Sequence, residues 1–182
     1  AAGIGAGMHD HCVVDIRDAT AVQHELQRLR PEIVFHLAAQ ALVRDGYAEP
    51  LATFAVNAQG TVNVLEALRH VDTVRVIVAV TTDKVYRNLE QRRAFCEDDE
   101  LGGHDPYSAS KAAAEMAIAS YREAYFRPRG VALASARAGN VIGGWARRWR
   151  GRHCCWRIHC WWAAGKHGAR FRHAPWLRRW LP

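Results

Sequence analysis

Two continuous apolar runs limit what this chain can fold into. Ile33-Val34-Phe35-His36-Leu37-Ala38-Ala39 and Val74-Arg75-Val76-Ile77-Val78-Ala79-Val80 have the length of strands, and neither alternates. A strand wet on one face alternates apolar and polar residues, so unbroken apolarity points to strands buried on both faces of a parallel sheet. A shorter run, Val13-Val14-Asp15-Ile16, precedes them, and a fourth, G-V-A-L-A-S-A, covers residues 130–136. Helical spacing fills the gaps. Val22, Leu26 and Leu29 mark a helix over 20–30 that Pro31 stops. Phe54, Val56, Val62, Leu65 and Leu68 mark another over 50–70. Asp105 and Pro106 supply an N-cap and a first helical residue for a helix running to about Phe126, before Pro128. Strands alternating with helices predict an α/β fold with a doubly wound parallel sheet.

Charge divides the 182 residues in two. Residues 145–182 hold nine Arg, Lys166 and no acid, a formal charge of +10. Residues 1–144 hold the other 15 basic residues against all 18 acids, which is −3. All seven Trp lie in the tail, which has no period of 2 or 3.6. Residues 145–182 are therefore expected to be an irregular basic tail translated from a shifted reading frame. Interleaved Arg and Trp suit nucleic acid, and His153, Cys154, Cys155, His159 and Cys160 suit zinc. Neither set has a recognised spacing, so no metal is expected and nucleic acid is the lesser reading. Five Cys without a framework spacing suit a reducing cytoplasm. No secretory leader or membrane-spanning run is visible.

Chemistry concentrates where ligands of open parallel sheets bind, at the carboxyl ends of the strands. Asp15 follows the first strand, Ala39-Gln40 the second and Thr81-Thr82-Asp83-Lys84 the third. Tyr107-Ser108-Ala109-Ser110-Lys111 opens the long helix, and a spacing of four puts Tyr107 and Lys111 on one face. An ammonium beside a phenol is expected to lower the Tyr107 pKa and make it a general base. Thr82 shares a hydrogen bond at the reacting oxygen, and Asp83 offers a second proton transfer. The bland readings make His36 a satisfied core histidine, Asn57 a backbone brace, Asp15 a helix cap and residues 97–100 a solvated loop.

Six segments carry a family likeness: D-I-R-D at 15–18, F-H-L-A-A-Q at 35–40, V-N-A-Q-G-T at 56–61, T-T-D-K-V-Y at 81–86, D-P-Y-S-A-S-K at 105–111 and R-A-G-N-V-I-G-G at 137–144. Residues 2–144 resemble the extended short-chain dehydrogenase/reductase family, the nucleotide-sugar dehydratases and epimerases. Within it, Lys84 after Thr82-Asp83 resembles the CDP-glucose 4,6-dehydratase group, where most sugar dehydratases carry Glu. The resemblance implies a partial Rossmann-like domain over 1–144 and NAD as cofactor. It places Asp15 and Ile16 beside adenine. Leu37, Ala38, Ala39, Gln40 and Thr81 line the cofactor, with Asn57 bracing them and Lys111 on the nicotinamide ribose. It implies that Tyr107, with Thr82, takes the 4-hydroxyl proton of a nucleotide sugar and that Asp83 protonates the leaving 6-hydroxyl. Lys84 stands where relatives hold the C5 base, and Arg137 and Asn140 lie toward the substrate. It also implies a homodimer through helices 50–70 and 106–126.

Two family features are not found. No G-x-x-G-x-x-G leaves a strand and opens a helix; Gly3, Gly5 and Gly7 lead directly into a strand instead. No substrate domain follows residue 144. The chain is therefore expected to be a fragment that binds NAD weakly and turns over little.

Overall fold

The computed structural model describes residues 10–90 and 93–139. Asn140, the glycines at 3, 5 and 7 and the basic tail lie outside the described residues. The elements run α1 (Ala19–Leu29), β1 (Ile33–His36), α2 (Val43–Ala48), α3 (Pro50–Phe54), a π-helical turn (Ala55–Gln59), α4 (Gly60–Arg69), β2 (Val76–Thr82), a 3-10 turn (Asp83–Val85), α5 (Pro106–Tyr121), a second π turn (Arg122–Phe126), a 3-10 turn (Arg127–Arg129) and β3 (Ala132–Ala138). Helix starts follow their caps. Asp18 accepts from Ala21 N at 3.0 Å, and Asp105 accepts from Ser108 N at 3.0 Å with Pro106 behind it. The helical run of α5 and its π turn ends at Phe126, before Pro128, as expected. Pro128 sits inside the 3-10 turn, which closes at Gly130 with φ 70°.

The strands pair in parallel in the order β1-β2-β3. Val34, Ile77 and Leu133 form one row across the sheet, and all three join the core that receives Val22, Leu26, Val64, Leu65, Leu68, Ile118 and Phe126 from the helices. The described chain is thus β1-α4-β2-α5-β3, one half of a Rossmann-type α/β sheet, with its helices on one face.

Two expectations fail, both because pairing and cover are non-local. Val13–Ile16 forms no named strand; Asp15 makes an isolated bridge. β1 is not buried on both faces. Ile33 is 42% exposed, Phe35 53% and Leu37 62%, because no described helix covers the second face. None of the described helices is long and apolar enough to cross a membrane.

Ile16 reaches the core through a glycine. A Cβ added at Gly60 would stand 2.6 Å from Ile16 Cδ1, and Ile16 is fully buried. Alanine in a helix interior normally stabilises relative to glycine by about 1 kcal/mol. Gly60→Ala is expected to invert that sign and destabilise by about 1–3 kcal/mol through overpacking. The urea midpoint measures it, and an unchanged or higher midpoint contradicts the packing.

Candidate active site

The carboxyl ends of β1 and β2 and the first turn of α5 meet at one mouth. Asn57, in the π turn, joins two of them. Its Oδ1 accepts from Gln40 N at 2.9 Å, while Nδ2 donates to Gln40 O at 3.0 Å and to Ser110 Oγ at 2.9 Å. Ser110 Oγ donates in turn to Tyr107 O at 2.7 Å. Asn57 is the brace that the sequence allowed, and it reaches α5 as well as β1.

A buried histidine completes this chain. Thr61 Oγ1 donates to Asn57 O at 2.7 Å, so His36 Nε2, 3.0 Å from Thr61 Oγ1, must be the donor of that pair. Nε2 of His36 therefore carries a proton. Burial, aided by the positive charge of Lys111, depresses its pKa to about 4. It is a satisfied core histidine.

Tyr107 is buried at the start of α5, where α2 backs it: a Cβ on Gly46 would lie 3.3 Å from Tyr107 N. Gly103 packs as closely, since its Cβ would fall 2.3 Å from Ser108 Cβ. The Thr82 hydroxyl lies beside the phenol, where it favours the phenolate, and donates to Asp83 Oδ1 at 3.2 Å. Tyr107, Thr82 and Asp83 therefore form one contiguous group. The phenol's pKa is raised, not lowered as expected. Burial raises it most, the Thr82 hydroxyl opposes this, and the charges of Asp83 and Asp105 add to the rise. A spacing of four fixes the helix face but not where a four-carbon stem ends. Lys111 is buried and sends Nζ to Val80 O at 3.4 Å, at the strand, and burial drops its pKa to about 8.

The remaining expected residues divide. Thr81, Ala38 and Gln40 are buried at the strand ends, and Ala39 is partly buried. Leu37 instead projects onto the open face of the sheet. The Ile16 side chain is withdrawn into the core, which leaves its backbone to flank a ligand. Asp15 does not cap α1, which Asp18 does; its carboxylate takes Arg17 Nε at 3.0 Å and Arg17 N at 2.9 Å. Lys84 is exposed at the rim, one residue beyond Asp83. Arg137 is engaged by the protein itself: Glu115 Oε2 at 3.0 Å, Tyr86 OH at 2.9 Å and Glu97 O at 2.8 Å. Residues 97–100 form an exposed loop with Asp99 paired to Arg93. Among the described residues no cluster of His, Cys, Asp and Glu could hold a metal.

Ser110, Gly103 and Glu115 were not singled out by sequence. Ser110 lay inside the quoted motif, and Glu115 continues the Tyr107–Lys111 face by one more turn. Gly103 offered no signal beyond a Gly-Gly pair.

A family model described as GDP-mannose 4,6 dehydratase matches residues 7–140. The chain is 44% identical over 147 residues to the CDP-glucose 4,6-dehydratase of Salmonella typhimurium, covering 77% of this chain and 41% of that protein. It resembles the crystal structure of the Thermus thermophilus UDP-glucose 4-epimerase in complex with NAD, with TM-score 0.64, 34% identity, and 71% and 40% of the two chains covered. It also resembles a double mutant of DesIV, the dTDP-glucose 4,6-dehydratase of Streptomyces venezuelae, with NAD and DAU bound. There the TM-score is 0.56 with 29% identity, covering 62% of this chain and 34% of that one. The chain spans about two fifths of the length of the Salmonella relative.

His36 makes stability pH-dependent. Its folded pKa of about 4 lies below the ordinary 6.5. The contribution is complete above about pH 6.5 and is lost as pH falls toward 4, a swing of about 3 kcal/mol. Urea midpoints between pH 7 and 4.5 should fall more steeply for the wild type than for His36→Gln; equal slopes contradict the assignment.

Proposed function

The chain belongs to the GDP-mannose 4,6-dehydratase family, and on that premise we propose that it carries the catalytic strand ends of a cytoplasmic, NAD-dependent 4,6-dehydratase of nucleotide sugars, with CDP-glucose as substrate. The observation that carries this reading is the contiguous group Tyr107, Thr82 and Asp83 beside a buried Lys111 at the mouth of a parallel sheet. CDP-glucose is favoured over other nucleotide sugars by Lys84 after Thr82-Asp83 and by the 44% identity to a CDP-glucose enzyme.

The residues present fit a dinucleotide. Gln40 Oε1 is buried at the end of β1 without a hydrogen-bond partner, as is Thr53 Oγ1 in α3. An amide or hydroxyl donor of a bound cofactor would satisfy Gln40 Oε1. Ala38, Ala39, Gln40 and Thr81 would line the cofactor, Asp15 would reach its adenine end, and Lys111 would hold a ribose. NAD, when bound, supplies a reversible hydride acceptor.

The chain's own groups manage the protons. Tyr107 accepts the proton of the sugar 4-hydroxyl, with Thr82 holding the same oxygen. Lys84, at the position where the family holds the C5 base, takes the C5 proton, and Asp83, exposed at the rim, gives a proton to the 6-hydroxyl as it leaves as water. Residues 1–144 then constitute the partial cofactor-binding domain, and Asn140, beyond the described residues, lies toward the substrate. A second copy would pack on α3 and α5, where Leu51, Phe54 and Met116 are exposed.

The test is a panel of CDP-, dTDP-, UDP- and GDP-hexoses with NAD⁺, with products identified by mass. Loss of water from CDP-glucose is expected, slow in this chain because its cofactor domain is partial, and Tyr107→Phe should cut that rate by about 10²–10⁴-fold. Recovery of a 4-epimer of unchanged mass, or full activity in Tyr107→Phe, overturns the assignment.

A further inference from the structure

The α5 face that carries Tyr107 and Lys111 carries a third ionisable group one turn further on. Glu115 is only 4% exposed. Two strands hold it. Thr81 Oγ1 donates to Glu115 Oε1, and Ser135 Oγ and Arg137 donate to Oε2 at 2.9 and 3.0 Å. Thr81 and Arg137 are register partners across β2 and β3, and Ser135 lies on the same sheet face. Burial raises the Glu115 pKa, but the bonds from Arg137, Thr81 and Ser135 more than offset this, leaving a buried anion. A buried ion pair is no better for stability than well-packed apolar side chains. Its position is informative instead: Thr81 directly precedes Thr82, and Lys111 is one turn away on the same helix.

Lys111 is a buried cation that sits at the strand end without a contact ion pair among the described residues. The groups around this pair come from each neighbouring element. His36 faces Lys111 from β1 and is neutral; Arg137 faces Glu115 from β3; Asp83, past the end of β2, acts on Tyr107. Glu115 is the anion whose field favours the ammonium of Lys111.

We propose that Glu115 is a positioning residue of this site: its carboxylate keeps Lys111 in the charged form and anchors Thr81, and through it Thr82, at the mouth of the sheet. The purpose of this arrangement rests on the dehydratase reading, but its test does not.

The chain has three lysines, Lys84, Lys111 and Lys166. Carbon-13 NMR of ε-labelled lysine in the full chain therefore resolves Lys111, with Lys84→Arg and Lys166→Arg assigning the other two signals. Glu115→Gln is expected to lower the titration midpoint of Lys111 by about 1 pH unit, the size expected on losing a nearby opposite charge. Arg137→Gln breaks the same ion pair but leaves the carboxylate uncompensated, and should raise the midpoint. A pair that serves only as a structural brace would shift both variants alike. No fall in Glu115→Gln, or no rise in Arg137→Gln, overturns the proposal. Should Glu115→Gln fail to fold, Arg137→Gln decides alone: a rise supports the proposal, and no change or a fall overturns it. In turnover, the alkaline limb of the pH–rate profile should move down with the Lys111 midpoint in Glu115→Gln. A wild-type chain that shows these NMR shifts yet dehydrates no nucleotide sugar removes the dehydratase reading and leaves the Glu115 assignment standing.

Discussion

The carboxamide of Asn57 is the contact on which the site's geometry depends. Where β1 gives way to the loop at Gln40, the chain leaves the sheet with a backbone donor and acceptor to satisfy. Asn57 meets both, at 2.9 and 3.0 Å, as a neighbouring strand would. Its second N–H goes to Ser110, so the same side chain sets α5 against β1. Each buried backbone group left unpaired would cost about 1–3 kcal/mol. The π turn over Ala55–Gln59 is what lets one residue face both elements, in keeping with the tendency of such turns to mark functional sites. Thr61 and His36 then hold Asn57 from behind.

Around that clamp the chain buries groups that a stability argument alone would not bury. Lys111, Glu115 and a mostly buried Arg137 collect where β2 and β3 end. Desolvating charges costs several kcal/mol per ion, and their pairing returns only part of it. The core formed by α1, α4 and α5 on the same face of the sheet offsets this cost. A low-dielectric mouth strengthens each remaining electrostatic interaction, which is what proton transfer from a sugar hydroxyl requires. The raised pKa of Tyr107 belongs to the same setting. Its own surroundings, burial above all and then two carboxylates, favour the phenol against the opposing effect of Thr82.

The sequence made legible whatever is set by local pattern. Continuous apolarity located β1 and β2, and Asp105-Pro106 located the start of α5. Thr82, Asp83, Tyr107 and Lys111 were legible because they end or begin elements whose places in a parallel sheet are fixed. What failed depended on partners distant in the chain. Val13–Ile16 has the composition of a strand, but among the described residues it shows only an isolated bridge at Asp15 before the chain turns at Ile16. Phe35 and Leu37 are apolar like Val34, yet only the face carrying Val34 meets helices. The Ile16 side chain belongs to the core because Gly60, distant in the chain, leaves room for it. Lys111 and Arg137 were placed on the correct faces, but long side chains choose among acceptors that spacing does not reveal. Lys111 turned to the Val80 carbonyl, and Arg137 turned to Glu115 and Tyr86.

The central claim is that Tyr107 and Thr82 converge on one substrate oxygen at the mouth of the sheet. The most direct test is a crystal structure of the protein with NAD⁺ and CDP-glucose bound. The account predicts the sugar O4 within about 2.6–3.2 Å of both the Tyr107 hydroxyl and Thr82 Oγ1, with Gln40 Oε1 accepting from the ligand. A sugar bound away from the ends of β1 and β2, or an O4 in contact with neither hydroxyl, would contradict it.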